Sequence, residues 1–319
     1  MYTNTAIYAS AGAAPPAATP LLDAVGQGAI VALGFKKLRA AYSGFCIRVR
    51  NTNTEAILDI GFDGSGDLDE AAIAAHCGIY NGTIAVWYDQ SGNGFNFTPL
   101  LTPNAGNSSN EPLIYDGTTL TTDARGNVAA DSAVTVGGGS TTGTRFLNSP
   151  TLLDRVSPTI TLMGQVNTPN GTGMMMTEQQ NGYNMGSYNG LGTQLNMVRS
   201  NGTTLTTKNG IATNRTDPWC STQFFYINGG LENSKWWITS ELNNATFQNA
   251  FTLSSGDYNT TPYNNCTIFR YYSGVLYQNC NLSSYIYWNL PDNTTLSSTE
   301  LFDLYDWVET NMGYTNNAP

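Results

Sequence analysis

Charge is scarce in this chain. Of its 319 residues only 11% are charged, less than half the quarter typical of globular domains. Thirteen are Lys or Arg against 23 Asp or Glu, a net charge of −10. The basic residues gather nowhere beyond Lys36-Lys37-Leu38-Arg39, a run short enough to be a solvated face. An acidic chain without a basic stripe repels phosphate backbones, which excludes nucleic acid as a partner. No apolar run approaches the roughly 18 residues that a spanning helix requires, so membrane insertion by a helix is excluded as well. Met1 to Gly12 hold neither a basic n-region nor a solid apolar core. They do not read as a secretory signal, and the protein is expected to leave its cell by another route.

Histidine is nearly absent. His76 is the single one, it stands late in a short helical pattern beside Cys77, and no GxSxG-type nucleophile motif accompanies it. The familiar hydrolase triads are thereby disfavoured, and a satisfied helix-end histidine is the plain reading. The cysteines, Cys46, Cys77, Cys220, Cys266 and Cys280, are odd in number, widely spaced and free of any CxxC. A zinc site is not expected from such spacing. Buried thiols are the default, with a Cys266–Cys280 pairing left open. No repeat of roughly 20 to 50 residues is visible.

What the chain has instead is Asn, Thr, Ser and Gly, in stretches such as Gly137–Thr144 and Asn201–Thr207. These residues favour turns and pleated surfaces over helix interiors. An Ala/Pro-rich lead, residues 1–22, is expected to be an extended arm, and residues 23–319 a single domain. Residues 28–41 read as a helix, with Ile30, Val31, Phe35, Leu38 and Ala41 on one face and Gly44 as a stop. Strands follow at 45–50 and 55–60. A second helix spans Glu70 to His76, with an Asp67/Glu70 capping box and Gly78 as its C-terminal stop. Thr83–Tyr88 is a strand that enters the turn Asp89–Gly94. Short strands then recur at 159–166, 194–198, 224–227, 235–239, 250–253, 267–272 and 284–288. Many short strands with turn signals between them predict a sandwich or jelly roll. The chain ends in a helix opened by the capping box Ser297-Ser-Thr-Glu300, with Leu301, Leu304, Tyr305 and Val308 on one face.

Candidate sites are few. Asp63-Gly-Ser-Gly-Asp-Leu-Asp-Glu70 begins like a calcium loop, but Leu68 stands where the loop glycine belongs and Ala74 where the bidentate Glu belongs. A turn followed by a helix cap accounts for the same residues, so neither a metal nor a cofactor is expected. Glycoside hydrolysis needs paired carboxylates. After residue 150 the acids are sparse, with Glu178, Glu232, Glu241 and Asp257 among them, and none stands out. Aromatic residues are more suggestive: Trp236, Trp237, Tyr271, Tyr272 and Tyr188 offer flat apolar faces to sugar rings while loop Asn and Thr reach hydroxyls.

One ordered series is specific. Lys37-Leu-Arg-Ala-Ala-Tyr-Ser-Gly44 leads to Ile47-Arg-Val-Arg50, Asp59-Ile-Gly-Phe-Asp63, Leu68-Asp69 and Val86-Trp-Tyr-Asp-Gln-Ser-Gly-Asn-Gly94. It covers about a fifth of the chain. The series resembles the opening of the α-L-arabinofuranosidase B catalytic domain, and still more a domain of tailed-phage virion proteins. The resemblance implies an all-β, concanavalin-like jelly-roll β-sandwich with a few short peripheral helices. It also implies a Glu nucleophile on a mid-domain strand, in a Met-Glu-Asn context, and an Asp acid/base after a glycine-rich strand. The segments matched to these, Gln194–Asn201 and Cys266–Gly274, hold no acid, and the adjacent cysteine pair of the enzymes is missing. The expectation is therefore a non-catalytic virion subunit (fibre, spike or decoration protein) on the particle surface. Its partners would be other virion proteins in a homo-oligomer, favoured as a trimer, and host-surface glycans. An arabinofuranosidase-type hydrolase and a secreted lectin-like protein are the alternatives. Asp89 is expected to bond backbone amides of the Ser91–Gly94 turn, with Trp87 and Tyr88 split between core and surface, making that motif a signature of the fold.

Overall fold

The structure, a computed structural model, describes residues 19–99, 110–132, 135–136, 140–141, 145, 147–149, 159–166, 173–180, 183–190, 194–201, 205–208, 218–224, 235–239, 248–249, 265–268, 280–291 and 294–314. The elements run α1 Leu21–Val25, β1 Ala29–Gly34, β2 Ile47–Asn51, β3 Ile57–Ile60, α2 Glu70–Cys77, β4 Gly82–Trp87, β5 Leu113–Tyr115, β6 Ala130–Asp131, β7 Thr135–Val136, β8 Ser140–Thr141 and β9 Leu147–Asn148. They continue with β10 Thr159–Val166, β11 Gly173–Gln180, β12 Tyr183–Gly190, β13 Gln194–Asn201, β14 Leu205–Lys208, β15 Trp219–Phe224, β16 Lys235–Thr239, β17 Gln248–Asn249, β18 Asn265–Ile268, β19 Cys280–Trp288 and α3 Ser298–Met312.

Two antiparallel sheets carry the fold. The larger has the order β17-β16-β15-β10-β19-β6-β5-β4-β2-β3, with β1 pairing the second half of β19; the smaller runs β14-β13-β12-β11-β18-β9. Leu147 of β9 and Ile268 of β18 join Val31, Ile47, Trp87, Leu162 and Tyr285 in one buried cluster, so the two sheets are packed face to face. Phe35 stacks on Trp87 with centroids 4.5 Å apart at the centre of that layer. The opposite face of the large sheet is covered too. Ala32, Met163, Ile286 and Trp288 pack there against Leu21 and Leu22 of α1 and Leu304, Tyr305 and Val308 of α3. The architecture is an all-β, concanavalin-like jelly-roll sandwich with a few peripheral helices.

Burial on both faces explains the main difference from expectation. Residues 29–34 form β1, not the first half of a helix. Val31 and Leu33 face the inter-sheet core while Ala32 faces the helices, so the strand shows no apolar–polar alternation. A short run that is apolar throughout cannot be separated from a buried helix by periodicity. The second correction concerns the start of α2. Its N-cap is Asp69, whose carboxylate accepts from Ala72 N at 3.0 Å. Asp67 is held two residues earlier, bridged to Lys36 through both backbone and side chain. The C-terminal helix forms as its capping box predicts, with Ser297 and Glu300 reciprocally bonded.

The strands expected at 159–166 and 235–239 are β10 and β16. β15 precedes the strand expected at 224–227, and the strand expected at 250–253 lies outside the described residues. So does the arm up to residue 18. At its end Leu21 and Leu22 are buried, and Trp307 Nε1 donates to Thr19 O. Cys46, Cys77, Cys220 and Cys280 are free buried thiols, and the strands of Cys266 and Cys280 belong to different sheets. Burial pushes the Cys77 thiol up to about 11 and those of Cys46, Cys220 and Cys280 well above the ordinary thiol range. On β2, Arg50 is 7% exposed and Glu111 fully buried. Arg50 Nε reaches both Glu111 oxygens at 3.0 and 3.1 Å, and Thr83 Oγ1 donates to Oε2 at 2.7 Å.

Candidate functional site

The Tyr-Asp-Gln-Ser-Gly-Asn-Gly run works as a clamp on β1. Asp89, 4% exposed, accepts at Oδ1 from Ala32 N and Ser91 N, each at 2.8 Å. Its Oδ2 accepts from Ser91 Oγ at 2.6 Å and Phe95 N at 3.1 Å. Gln90, also buried, accepts from Leu38 N at 2.8 Å and donates to Gly34 O at 2.7 Å. Asn93 donates to Ala29 O and Ile30 O. Gly92 and Gly94 hold φ of 93° and 79°, the left-handed region where a side chain is strained. Trp87 is fully buried and Tyr88 half-buried. Asp89, Gln90 and Asn93 spend their side chains chiefly on backbone groups of β1 and of the turn itself, so the motif builds the fold, as expected.

Next to it, Arg48 grips Asp59 through two bonds of 2.7 and 2.8 Å, and the Tyr88 hydroxyl donates to the same carboxylate at 2.5 Å. The Arg48 bond holds the Asp59 carboxyl below the usual range. Burial, and then Asp59, push the Tyr88 hydroxyl well above the tyrosine range. His76 Nε2 lies 3.2 Å from Ala56 O, at the end of α2. Asp63 Oδ1 accepts from Ser65 N, Ser65 Oγ and Asp67 N, which is turn capping. Among the described residues no group of three or more His, Cys, Asp or Glu is arranged to hold a metal.

Three of the five aromatic candidates lie among the described residues, on two different sheets. Trp236 and Trp237 stand on β16 of the large sheet, opposite Gln223 and Thr222 of β15. Tyr188 stands on β12 of the small sheet, in register with Asn196 and Met174. Tyr271 and Tyr272 lie outside the described residues, as do Glu232, Glu241 and Asp257.

Of the acids between residue 150 and the final helix, Glu178 alone lies among the described residues. It lies on β11, an inner strand of the small sheet, with Cys266 opposite on β18 and Met185 opposite on β12. The row continues through Arg199 on β13 to Thr206 on β14. Reading the six strands together, Glu178 is the sole Asp or Glu among them. Sequence reasoning passed over it because it looked for the acid at 194–201, two strands further along. The signal that finds it is strand pairing, which groups residues scattered over 147–268 into one surface.

No family model matches the chain, and no curated protein matches it. Solved structures do. An arabinofuranosidase complexed with arabinofuranosyl-α-1,2-xylobiose matches with a TM-score of 0.59 at 13% identity, over 89% of this chain. A GH54 α-L-arabinofuranosidase matches over the same share with a TM-score of 0.60 at 13% identity. It was determined as a mutant soaked with 4-nitrophenyl α-L-arabinofuranoside and again with a cyclic sulfate inhibitor. In each case the chain spans 64% of the length of the matched enzyme. What these likenesses show is the fold, a sandwich shared with the matched arabinofuranosidases. The likeness covers nearly the whole chain and is no longer confined to the opening fifth. The expectation of a non-catalytic virion subunit, with no enzymatic activity, is corrected by this finding. That expectation rested on two segments without acids. Among the described residues, Glu178 on an inner strand of the small sheet is an acid that those two segments lack.

Proposed function

We propose that the chain is the catalytic sandwich of a glycoside hydrolase acting on α-L-arabinofuranosides, with Glu178 as nucleophile. One observation carries the reading: in a sandwich similar in fold to arabinofuranosidases, the single acid among the described residues of the small sheet is a Glu on an inner strand. A carboxylate attacks the anomeric carbon and the glycosidic C–O bond breaks. A second carboxylic acid delivers its proton to the leaving oxygen and then deprotonates the water that hydrolyses the glycosyl ester. Glu232, Glu241 and Asp257 are the candidates for that second group. Trp236, Trp237, Tyr188, Tyr271 and Tyr272 remain candidates for contact with sugar rings.

Purified protein should hydrolyse 4-nitrophenyl α-L-arabinofuranoside. Glu178→Gln should lower kcat by more than about 10³-fold, the scale on which a lost nucleophile falls. No turnover of arabinofuranosides by the folded protein, or turnover indifferent to Glu178→Gln, would sink the reading.

The opening series, similar to that of tailed-phage domains, supports a particle surface as the place of this activity. On that reading residues 1–22 join a single domain, 23–319, to other virion proteins within a trimer, and a host-surface glycan is the substrate. Deleting residues 2–18 should then leave the domain folded and abolish assembly. Normal assembly of the truncated chain would contradict it.

A further inference from the structure

Glu178 shares its row of the small sheet with Cys266 on β18, Met185 on β12 and Arg199 on β13. Residues paired directly across a ladder stand on one face of a sheet. The acid and the arginine are therefore on the same side, with Met185 between them. Strands lie about 4.8 Å apart, which sets the two backbones about 10 Å from each other. Glu and Arg both carry long side chains, and together they close a gap of that size.

The face is apolar where its burial is described. The next row along it holds Met176 and Ile268, and Ile268 is fully buried in the layer between the sheets. Within the acid's own row its two direct neighbours are Cys266 and Met185. Apolar surroundings disfavour a charged carboxyl and lift it by up to about 3–5 units when burial is complete, whereas a cation within about 4–6 Å lowers it by about 1–3 units. A nucleophile has to be the carboxylate, and a protonated Glu178 would not attack. A positive charge is needed in the row, and Arg199 is the residue there that brings one.

The other candidates fail on distance or on charge. The six strands carry two basic residues, Arg199 and Lys208. Lys208 pairs with Met197, one row along and three strands from Glu178, roughly 16 Å away by strand spacing and rise. That exceeds the screening length of about 10 Å in ordinary salt. Among the described residues, Tyr183 and Cys266 share the face. The buried cluster that holds Ile268 adds the thiols of Cys46, Cys77 and Cys280 and the phenols of Tyr115, Tyr285 and Tyr287. Thiols and phenols are neutral at the acid pH where a carboxyl titrates, so none of them substitutes for the arginine.

We infer that Arg199 is a positioning residue: its guanidinium pairs with the Glu178 carboxylate across Met185 and keeps it ionised and aimed. The effect on turnover rests on the reading of Glu178 as nucleophile; the pairing rests on the row alone.

The test is a pH titration followed by ¹³C NMR on the full chain labelled at its glutamate carboxyls. The Glu178 signal is assigned by its loss in Glu178→Gln. In the parent, Glu178 should titrate no higher than the ordinary value of about 4.3. Arg199→Gln should raise it by about one unit or more, and Arg199→Lys should hold most of that rise in check. Lys208→Gln removes the same charge from three strands away and should leave it unmoved. In hydrolysis of 4-nitrophenyl α-L-arabinofuranoside, the acid limb of kcat/KM should move to higher pH by the same amount in Arg199→Gln, because the ionised form is lost sooner as pH falls. A shifted Glu178 in a chain without turnover supports the pairing and removes only the nucleophile. A parent Glu178 above about 4.3, a value unchanged by Arg199→Gln, or an equal rise from Lys208→Gln would each overturn the inference. The first of these reads the parent alone and holds even if Arg199→Gln does not fold.

Discussion

Replacing Asp89 by Ala tests whether the Asp89–Gly94 turn is a clamp or a simple cap. A lone cap is worth about 1 kcal/mol. Asp89 does more, because three of its four donors are backbone amides, those of Ala32, Ser91 and Phe95, and the carboxylate is 4% exposed. Each buried amide left unbonded costs about 1–3 kcal/mol, and partial rehydration of the Ser91 and Phe95 groups recovers some of it. The expected loss for Asp89→Ala is about 3–5 kcal/mol, read as a shift of the urea midpoint at unchanged m-value. Asp89→Asn keeps one acceptor oxygen, presents an NH₂ where the other stood, and should cost roughly half as much. A loss of about 1 kcal/mol or less for Asp89→Ala would refute the clamp and leave only a cap. Molecules of either variant that remain folded should keep whatever saccharide binding the parent shows, since none of these bonds faces a ligand.

Two further outcomes follow from the ion pairs. Glu111→Gln leaves the buried Arg50 guanidinium with only the half-exposed Glu55 carboxylate, 3.5 Å away, as counter-charge and should cost about 3 kcal/mol by chemical denaturation; the double variant Arg50→Met/Glu111→Leu should recover most of it. Asp59 is held below its ordinary pKa by Arg48. Its contribution is therefore fully present above about pH 4 and is lost as pH falls through the depressed value. Asp59→Asn should flatten the acid limb of a stability-versus-pH curve below pH ~4 and leave its shape near neutrality unchanged. An unaltered acid limb would remove Asp59 from the account.

Much of the fold was legible in residue order, and the failures have physical causes. The final helix announced itself because Ser297 and Glu300 are a local signal and its apolar residues recur at helical spacing on one face. β1 was misread because it lies between two buried layers, so the alternation that marks a strand is absent. The turn at Asp89–Gly94 could be read as structural, although its reach to β1, some 57 residues earlier for the Ala32 bond, is not a property of any local window. The candidate nucleophile was the least legible feature. Nothing in Met176-Thr177-Glu178-Gln179 distinguishes that acid from Glu232 or Glu241. Only the pairing of β11 with β12 and β18 shows it as the single carboxylate-bearing residue among the described residues of its sheet.

The central claim is that Glu178 forms the covalent glycosyl intermediate. It is tested most directly by treating the protein with an arabinofuranose-configured cyclic sulfate and locating the adduct by peptide mass spectrometry. One adduct per chain, carried by the peptide containing Glu178 and absent from Glu178→Gln, is the predicted result. An unmodified Glu178 alongside a label on another carboxylate, or no label on active protein, would contradict it.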